Sequence, residues 1–413
     1  MRSPADNGPV LTRTIELCNG RGVGYLVIDS DLGGGGTGGI RMGEDVSLDE
    51  VAALASEMSH KFAWLNISRG GAKSGINCAG EISQADKLTM LDEFGQGIQD
   101  VLKSGQYIAG MDLGVGPVEL GMIIKGAGMP PGEDPADESI DSNFYTALTV
   151  HIALTEALRH ANRDWDQTSF LVEGLGKVAR HLVRLISDEG GTITGLSTIS
   201  GAIIRPDGID VQRILELAES GGDRAIHEYD DGPVDLPSAL FTADADVLIP
   251  GARVHGIHEQ NVEQLQVSTV VPMANAAATS DAESAMFRNG VTYLPGFVTN
   301  SGGIFCWYLG GLEKNGRDRI LRNGLGGKFA RLIRDADRQK ISISTLARQQ
   351  VATKARRMRG EERGSPLQRI LGTVRKFSLQ RLPFVLARRI LGKQWASRDS
   401  KAAQWYYNAR YFS

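Results

Sequence analysis

Ser169-Phe-Leu-Val-Glu-Gly-Leu-Gly-Lys-Val-Ala179 runs from an apolar strand-like segment through a glycine turn into a helix-like one, and the reading of the whole chain grows from it. The pattern is G-x-G-x-x-A in a strand-turn-helix setting, which is the context a dinucleotide fingerprint requires. Gly174 permits the tight turn, Gly176 lets backbone approach a pyrophosphate, and the small Ala179 allows close helix packing. The first helical N–H groups, from Leu175, Gly176, Lys177 and Val178, point at the phosphates. A chain with 51 glycines produces such patterns by chance, so the flanking elements carry the argument.

Those elements continue on both sides. Phe170-Leu-Val, Thr192-Ile-Thr, Asp246-Val-Leu-Ile, Thr269-Val-Val and Val291-Thr-Tyr-Leu alternate with helical stretches, as βαβ units around a parallel sheet do. The second strand ends at Thr198, where a ribose-binding Asp or Glu is expected for NAD. With that carboxylate missing and Arg205 several residues further on, NAD and NADP both stay open. Upstream, a helix is expected over Thr146 to His160, and the Pro, Gly, Asp and Glu run between Gly128 and Asp141 marks a domain boundary.

The first 140 residues have a different texture. Val10 to Cys18 and Gly24 to Asp29 read as strands joined by an Asn-Gly-Arg-Gly turn. Ser47 and Glu50 form a capping-box signature, after which Val51, Leu54, Ala55, Met58 and Phe62 recur at helical spacing. Lys61 falls at the edge of that apolar stripe, so its ammonium must find an anion or lose its proton. His60 falls on the opposite side and is expected in solvent. Arg69-Gly-Gly-Ala-Lys73-Ser-Gly reads as a glycine turn carrying a second lysine, and Asp112 follows an apolar segment in Ala109-Gly-Met-Asp-Leu-Gly.

Composition sets the outer limits. With 413 residues the chain is long enough for two hydrophobic cores. Its three cysteines, Cys18, Cys78 and Cys306, form no CxxC pair and fit a reducing, cytoplasmic setting with no metal site. No apolar run reaches the roughly 20 residues needed to span a bilayer, and no secretory signal is recognised. Charge is uneven, since roughly 25 of the 45 Lys and Arg residues lie after Gly310 with about seven acids. Leu367, Ile370, Leu371, Val374 and Phe377 give this basic tail an amphipathic helical pattern, with Trp405-Tyr-Tyr near the end. Packing against an acidic neighbouring subunit is expected in preference to nucleic acid or membrane.

Taken together, Gly38-Gly-Ile-Arg-Met42, Met58-Ser-His-Lys61, Gly70-Gly-Ala-Lys73 and Met111-Asp-Leu-Gly114 resemble the substrate-domain motifs of the glutamate/leucine/phenylalanine/valine dehydrogenases. Thr146-Ala-Leu-Thr-Val150, the Gly174 turn, Pro272-Met-Ala-Asn275 and Asn300-Ser-Gly-Gly303 resemble that family's nucleotide and hinge motifs, in the same order. Met58 also resembles the leucine and phenylalanine branch. The resemblance implies an α/β fold in which residues 1–140 form a substrate-binding and catalytic domain and 141–305 a Rossmann-type doubly wound NAD(P) domain. Residues 306–350 would be helices returning to the first domain, and 351–413 a basic helical extension.

The resemblance also implies roles. Lys61 would hold the substrate α-carboxylate, with Gly39 also in the substrate site, Lys73 would polarise the imine and its attacking water, and Asp112 would be the general acid/base. Thr146, Ala274 and Asn275 match positions near the nicotinamide, and Asn300 matches the hinge asparagine. Val115 stands where the family usually has Thr, and Pro272-Met where it has Glu-Gly. Homo-oligomers are implied, acting on a small amino acid and its 2-oxo acid.

Glutamate-using members resemble one another in a lysine and a serine that grip the side-chain carboxylate, at positions that read here as Thr37 and Trp307. A carboxylate buried without a cation costs several kcal/mol, so an apolar or aromatic L-amino acid is expected, with Trp307 lining its pocket. A specialised biosynthetic member acting on an unusual amino or keto acid is the alternative enzyme. A catalytically idle regulatory protein with a nucleic-acid- or membrane-binding tail is the alternative from another class.

Overall fold

The computed structural model describes residues 8–78, 80, 82–130, 140–230, 232–309, 312–359 and 411. The expected tail helix from Leu367 to Phe377 and the Trp405 cluster lie outside the described residues. Contacts divide the chain into two compact units, Met1–Asp137 with Arg348–Gly364, and Glu138–Ala347 with Ser365–Ser413.

The first unit is built on β1 (Leu11–Leu17), β2 (Gly22–Ile28), β3 (Gly36–Gly43), the helix α1 (Leu48–Trp64), β4 (Gly70–Cys78), α2 (Gln84–Gly97), α3 (Gln99–Lys103), β5 (Tyr107–Met111) and α4 (Pro117–Gly126). Its sheet runs in the order β1-β2-β4-β3-β5. The β1-β2 hairpin and the β2-β4 pair are antiparallel, whereas β3 lies parallel to both β4 and β5. On one face Leu26, Ile28, Ile40, Ala72 and Ile76 pack with Met90, Leu91 and Phe94 of α2 and Ile123 of α4. Each fully buried side chain of this size contributes about 1.5–3 kcal/mol.

α1 covers the other face. Ser47 Oγ accepts from Glu50 N at 3.2 Å and Asp49 and Glu50 occupy the first turn, which favours the positive end of the helix dipole. Gly70-Gly-Ala-Lys73 is not a turn, contrary to expectation, but the start of β4, a strand hydrogen-bonded on both sides. Its glycines serve packing, because a Cβ on Gly71 would sit 2.1 Å from Ser59 N and 2.5 Å from Ala55 O. Strand and helix backbones therefore meet directly. Lys73 consequently lies on a rigid element.

The second unit comprises α5 (Ser142–His160), β6 (Ser169–Glu173), α6 (Lys177–Asp188), β7 (Thr192–Thr198), β8 (Gly201–Ile204), α7 (Val211–Gly221), α8 (Ala225–Glu228), β9 (Val247–Ile249), β10 (Thr269–Val270), α9 (Ser280–Arg288), β11 (Thr292–Tyr293), α10 (Gly296–Thr299), α11 (Gly302–Tyr308), α12 (Lys314–Ile320), α13 (Gly326–Gln339) and the beginning of α14 (Ile343–Arg359). The strand order is β11-β10-β9-β6-β7-β8. All neighbours are parallel except β7-β8, a short hairpin that the sequence reading did not find. The order reverses between β6 and β9, which is the switch point where open α/β sheets bind ligands.

Candidate active site

On β3, residues of one parity, Ile40 and Met42, enter the core shared with α2 and α4, so Thr37, Gly39 and Arg41 face the other way. Thr37 pairs with Gly71 of β4 and Ile40 with Ser74, which sets Lys73 beside Gly39 on the face that α1 covers. Lys73 is 3% exposed and Lys61, near the end of α1, 5%. Two buried lysines thus share one small space.

The Lys73 ammonium and the Asp112 carboxylate are in direct hydrogen-bonded contact. Asp112 Oδ1 also accepts from Leu113 N at 2.7 Å and lies 3.5 Å from Arg41 Nη2. Arg41 reaches back to Glu50 of α1. Gly39 makes room for this arrangement, since a Cβ there would meet Met111 O at 2.6 Å and Asp112 Cβ at 2.9 Å. Burial, then the charges of Arg41 and Lys61, hold the Lys73 pKa well below that of a free lysine. Burial also brings Lys61 down to about 8, against the opposing pull of Glu57. Burial thus lowers the proton affinity of both lysines, and Lys61 remains a cation near neutral pH.

Two arginines of this site escaped the sequence reading. Arg41 lay inside a motif quoted for its glycines, although its alternation with Thr37 and Gly39 puts it on their face. Arg69 lies just ahead of β4, and its Nε donates to Thr37 Oγ1 at 2.8 Å while its Nη2 is buried with no hydrogen-bond partner. The expectation that no cation stands at Thr37 is therefore corrected. The guanidinium comes from the neighbouring strand, and residue identity at position 37 could not reveal it.

The placement of His60 is also corrected, because it is 6% exposed rather than solvated. α1 is covered on its outer side as well. Arg348 of α14 is close enough to act on the His60 charge, and Lys354 Nζ lies 5.7 Å from the Trp64 ring centre. The sequence showed one apolar stripe on α1, but a second helix from the far end of the chain buries the rest.

In the second unit Gly174, with φ of +92°, makes the turn out of β6, and its N–H donates to Ser197 O at 2.7 Å. Leu175 is buried, whereas Gly176 and Lys177 are exposed and Val178 half-buried. Apart from its chain neighbours, no atom of the described residues lies within 4 Å of where a Gly176 Cβ would be, and no side chain caps α6. Open space before an uncapped helix N-terminus fits a dinucleotide pyrophosphate. Thr198 ends β7, its hydroxyl donating to Asp223 O at 3.2 Å and accepting from Ser200 N at 3.1 Å. Arg205 is committed to Asp230 through contacts of 2.6 and 2.9 Å.

Near the end of the sheet, Asn300 Nδ2 donates to Met273 O and to Asn275 Oδ1, both at 3.1 Å. Its own Oδ1 is buried with no partner, so it retains a place for a donor such as a carboxamide. Ala274 and Asn275 stand in the same loop. Thr146 Oγ1 donates to Ser142 O at 2.8 Å, and a Cβ on Gly303 would lie 2.3 Å from that hydroxyl. Trp307, on α11, is 42% exposed and is no core tryptophan. Among the described residues no His, Cys, Asp and Glu cluster could hold a metal ion, and no helix is long and apolar enough to cross a membrane.

A family model described as "Glutamate/Leucine/Phenylalanine/Valine dehydrogenase" matches residues 139–358, and one described as "Glu/Leu/Phe/Val dehydrogenase, dimerisation domain" matches residues 13–128. The chain is 29% identical over 301 residues to an NAD-specific glutamate dehydrogenase A of Halobacterium salinarum, covering 70% of this chain and 68% of that protein. Its fold is similar to a hetero-hexameric glutamate dehydrogenase of Thermus thermophilus in a leucine-bound form, with TM-score 0.68, 21% identity, and coverage of 86% and 91% of the two chains. It is similar also to an L-tryptophan dehydrogenase of Nostoc punctiforme, with TM-score 0.58, 19% identity, and coverage of 85% and 97%.

Proposed function

The chain belongs to the glutamate/leucine/phenylalanine/valine dehydrogenase family, and on that footing we propose that it catalyses NAD(P)-dependent oxidative deamination of an L-amino acid to its 2-oxo acid and ammonia, or the reverse. The observation that carries this reading is the buried group of Lys61, Lys73 and Asp112, in which Lys73 contacts Asp112 and burial lowers the proton affinity of both lysines.

In this mechanism protonated Lys61 pairs with the α-carboxylate and fixes Cα, a charge-assisted contact made stronger by burial. Gly174 and Gly176 would hold the pyrophosphate of a bound dinucleotide, and Thr146, Asn275 and Asn300 its nicotinamide end, and the cofactor would supply the redox chemistry as hydride acceptor. Lys73, its proton affinity lowered by burial, orients water at the resulting imine carbon. Asp112 takes the proton of that water and returns it to the amine as the C–N bond breaks. Ammonia leaves, the 2-oxo acid remains, and Arg41 keeps Asp112 facing Lys73.

Arg205 is engaged by Asp230, whereas the exposed Arg224 follows Asp223, whose carbonyl accepts from Thr198, so the proposal takes in NAD and NADP alike. The expectation of an apolar side chain has lost one support, since Arg69 stands beside Thr37. A homo-oligomer in the cytoplasm belongs to the same reading. The test is turnover of each proteinogenic amino acid by the full chain with NAD and with NADP, followed by absorbance of the reduced nicotinamide. Ammonia should appear in equal amount. Absence of cofactor reduction with every amino acid and both cofactors would refute the proposal.

A further inference from the structure

We infer that Arg69 selects the substrate side chain, and that the side chain it selects ends in a carboxylate. This rests on the proposed amino acid dehydrogenase activity and adds a specificity-determining residue to it. Three observations point the same way. Arg69 Nε is fixed on Thr37 Oγ1 at 2.8 Å, so the guanidinium is held rather than free to swing into solvent. Its Nη2 is buried with no hydrogen-bond partner, and an unmet donor on a cation is costly unless a ligand meets it. Finally, Thr37 is two residues before Gly39 on the strand face that carries Lys73, so the guanidinium stands about 7 Å along the sheet from the groups around Cα.

That spacing matches a short extended side chain, and a guanidinium offers a carboxylate two parallel donors. The acidic groups near Arg69 are engaged elsewhere, with Asp29 bonded to Ser59. Asp112 faces Lys73 and Arg41, and Arg41 also faces Glu50. No anion of this cluster is paired with Arg69, which leaves the second carboxylate of a dicarboxylic amino acid as its natural counter-charge.

The experiment compares kcat/KM for glutamate, aspartate, glutamine, leucine, phenylalanine and tryptophan in the full-length protein and in the Arg69→Gln, Arg69→Lys and Thr37→Val variants. The native protein should prefer an acidic substrate over all four others. Arg69→Gln should lower the ratio of acidic to apolar kcat/KM by about 100-fold or more, the scale on which a site built for a polar group discriminates. Arg69→Lys should recover part of that ratio, and Thr37→Val should lower it by less than Arg69→Gln. Preference of the native protein for leucine, phenylalanine, tryptophan or glutamine would overturn the inference, as would an equal fall on all substrates in Arg69→Gln. Glutarate binding to the full chain, followed by calorimetry, separates this inference from the activity on which it rests. If no amino acid is oxidised, binding that weakens at least tenfold in Arg69→Gln still supports the Arg69 subsite, and unchanged or absent binding overturns it.

Discussion

Lys73 and Asp112 are in direct contact although one lies in the middle of β4 and the other in the turn after β5, strands that are not neighbours but flank β3. The contact crosses over β3 at Gly39, where any side chain would intrude. Replacing Lys73 with Ala or Asp112 with Asn should lower kcat by about 100-fold or more, the contribution of a positioned acid/base. Circular dichroism and the oligomeric state should be unchanged. A folded Lys73→Ala protein with ordinary turnover would remove both residues from the chemistry.

Gly39→Ala tests the crossing itself. The added Cβ would lie 2.6 Å from Met111 O, so the turn carrying Asp112 must move by several tenths of an ångström. Displacements of that order in a catalytic group cost about 10- to 100-fold in rate. We expect kcat to fall by about that factor while cofactor affinity is unchanged. Steady-state kinetics with undiminished kcat would show that Asp112 needs no such placement.

Lys61 should impose a pH limit on carboxylate binding. Its pKa is lowered to about 8 by burial, and only the protonated form attracts an anion. Affinity for an unreactive 2-oxo acid should therefore be fully present below about 8 and fall tenfold per pH unit above it. In Lys61→Arg the fall should vanish from the alkaline range, because a guanidinium keeps its charge. Inhibition constants that do not change through this range in the native protein would contradict the carboxylate role.

His60 should weaken the fold in acid. Burial depresses its pKa to about 3, with Arg348 acting in the same direction. The unfolded chain takes up a proton near pH 6.5 that the folded chain refuses, so the contribution is intact above 6.5 and is lost as pH falls toward 3. Across that window stability should fall by about 1.4 kcal/mol for each pH unit. Urea titrations of His60→Gln should give a shallower decline over the same range than the native protein. An identical decline in both would place the acid sensitivity elsewhere.

Much of this architecture was legible in the chain. Gly174, Gly176 and Ala179 announced the turn from β6 into α6 because strand and helix patterns flank them. Ser47 announced α1 because helix caps are local chemistry. Hidden features depended on contacts between distant residues. Arg69 reaches Thr37 across a strand pair, His60 is covered by α14, and the glycines ahead of Lys73 resemble a turn until α1 is laid on Gly71. The β7-β8 hairpin was missed because Gly201-Ala-Ile-Ile204 is short and follows a strand that other βαβ units would continue into a helix.

Oxidative deamination can be followed with an L-amino acid that supports turnover, carrying deuterium at Cα, given to the full-length protein with its preferred nicotinamide cofactor. Mass spectrometry should find one deuterium in each molecule of reduced cofactor recovered, with one ammonia and one 2-oxo acid released alongside it. Reduced cofactor without deuterium, or deuterium transfer without release of ammonia, would contradict the assignment of oxidative deamination to the site of Lys61, Lys73 and Asp112.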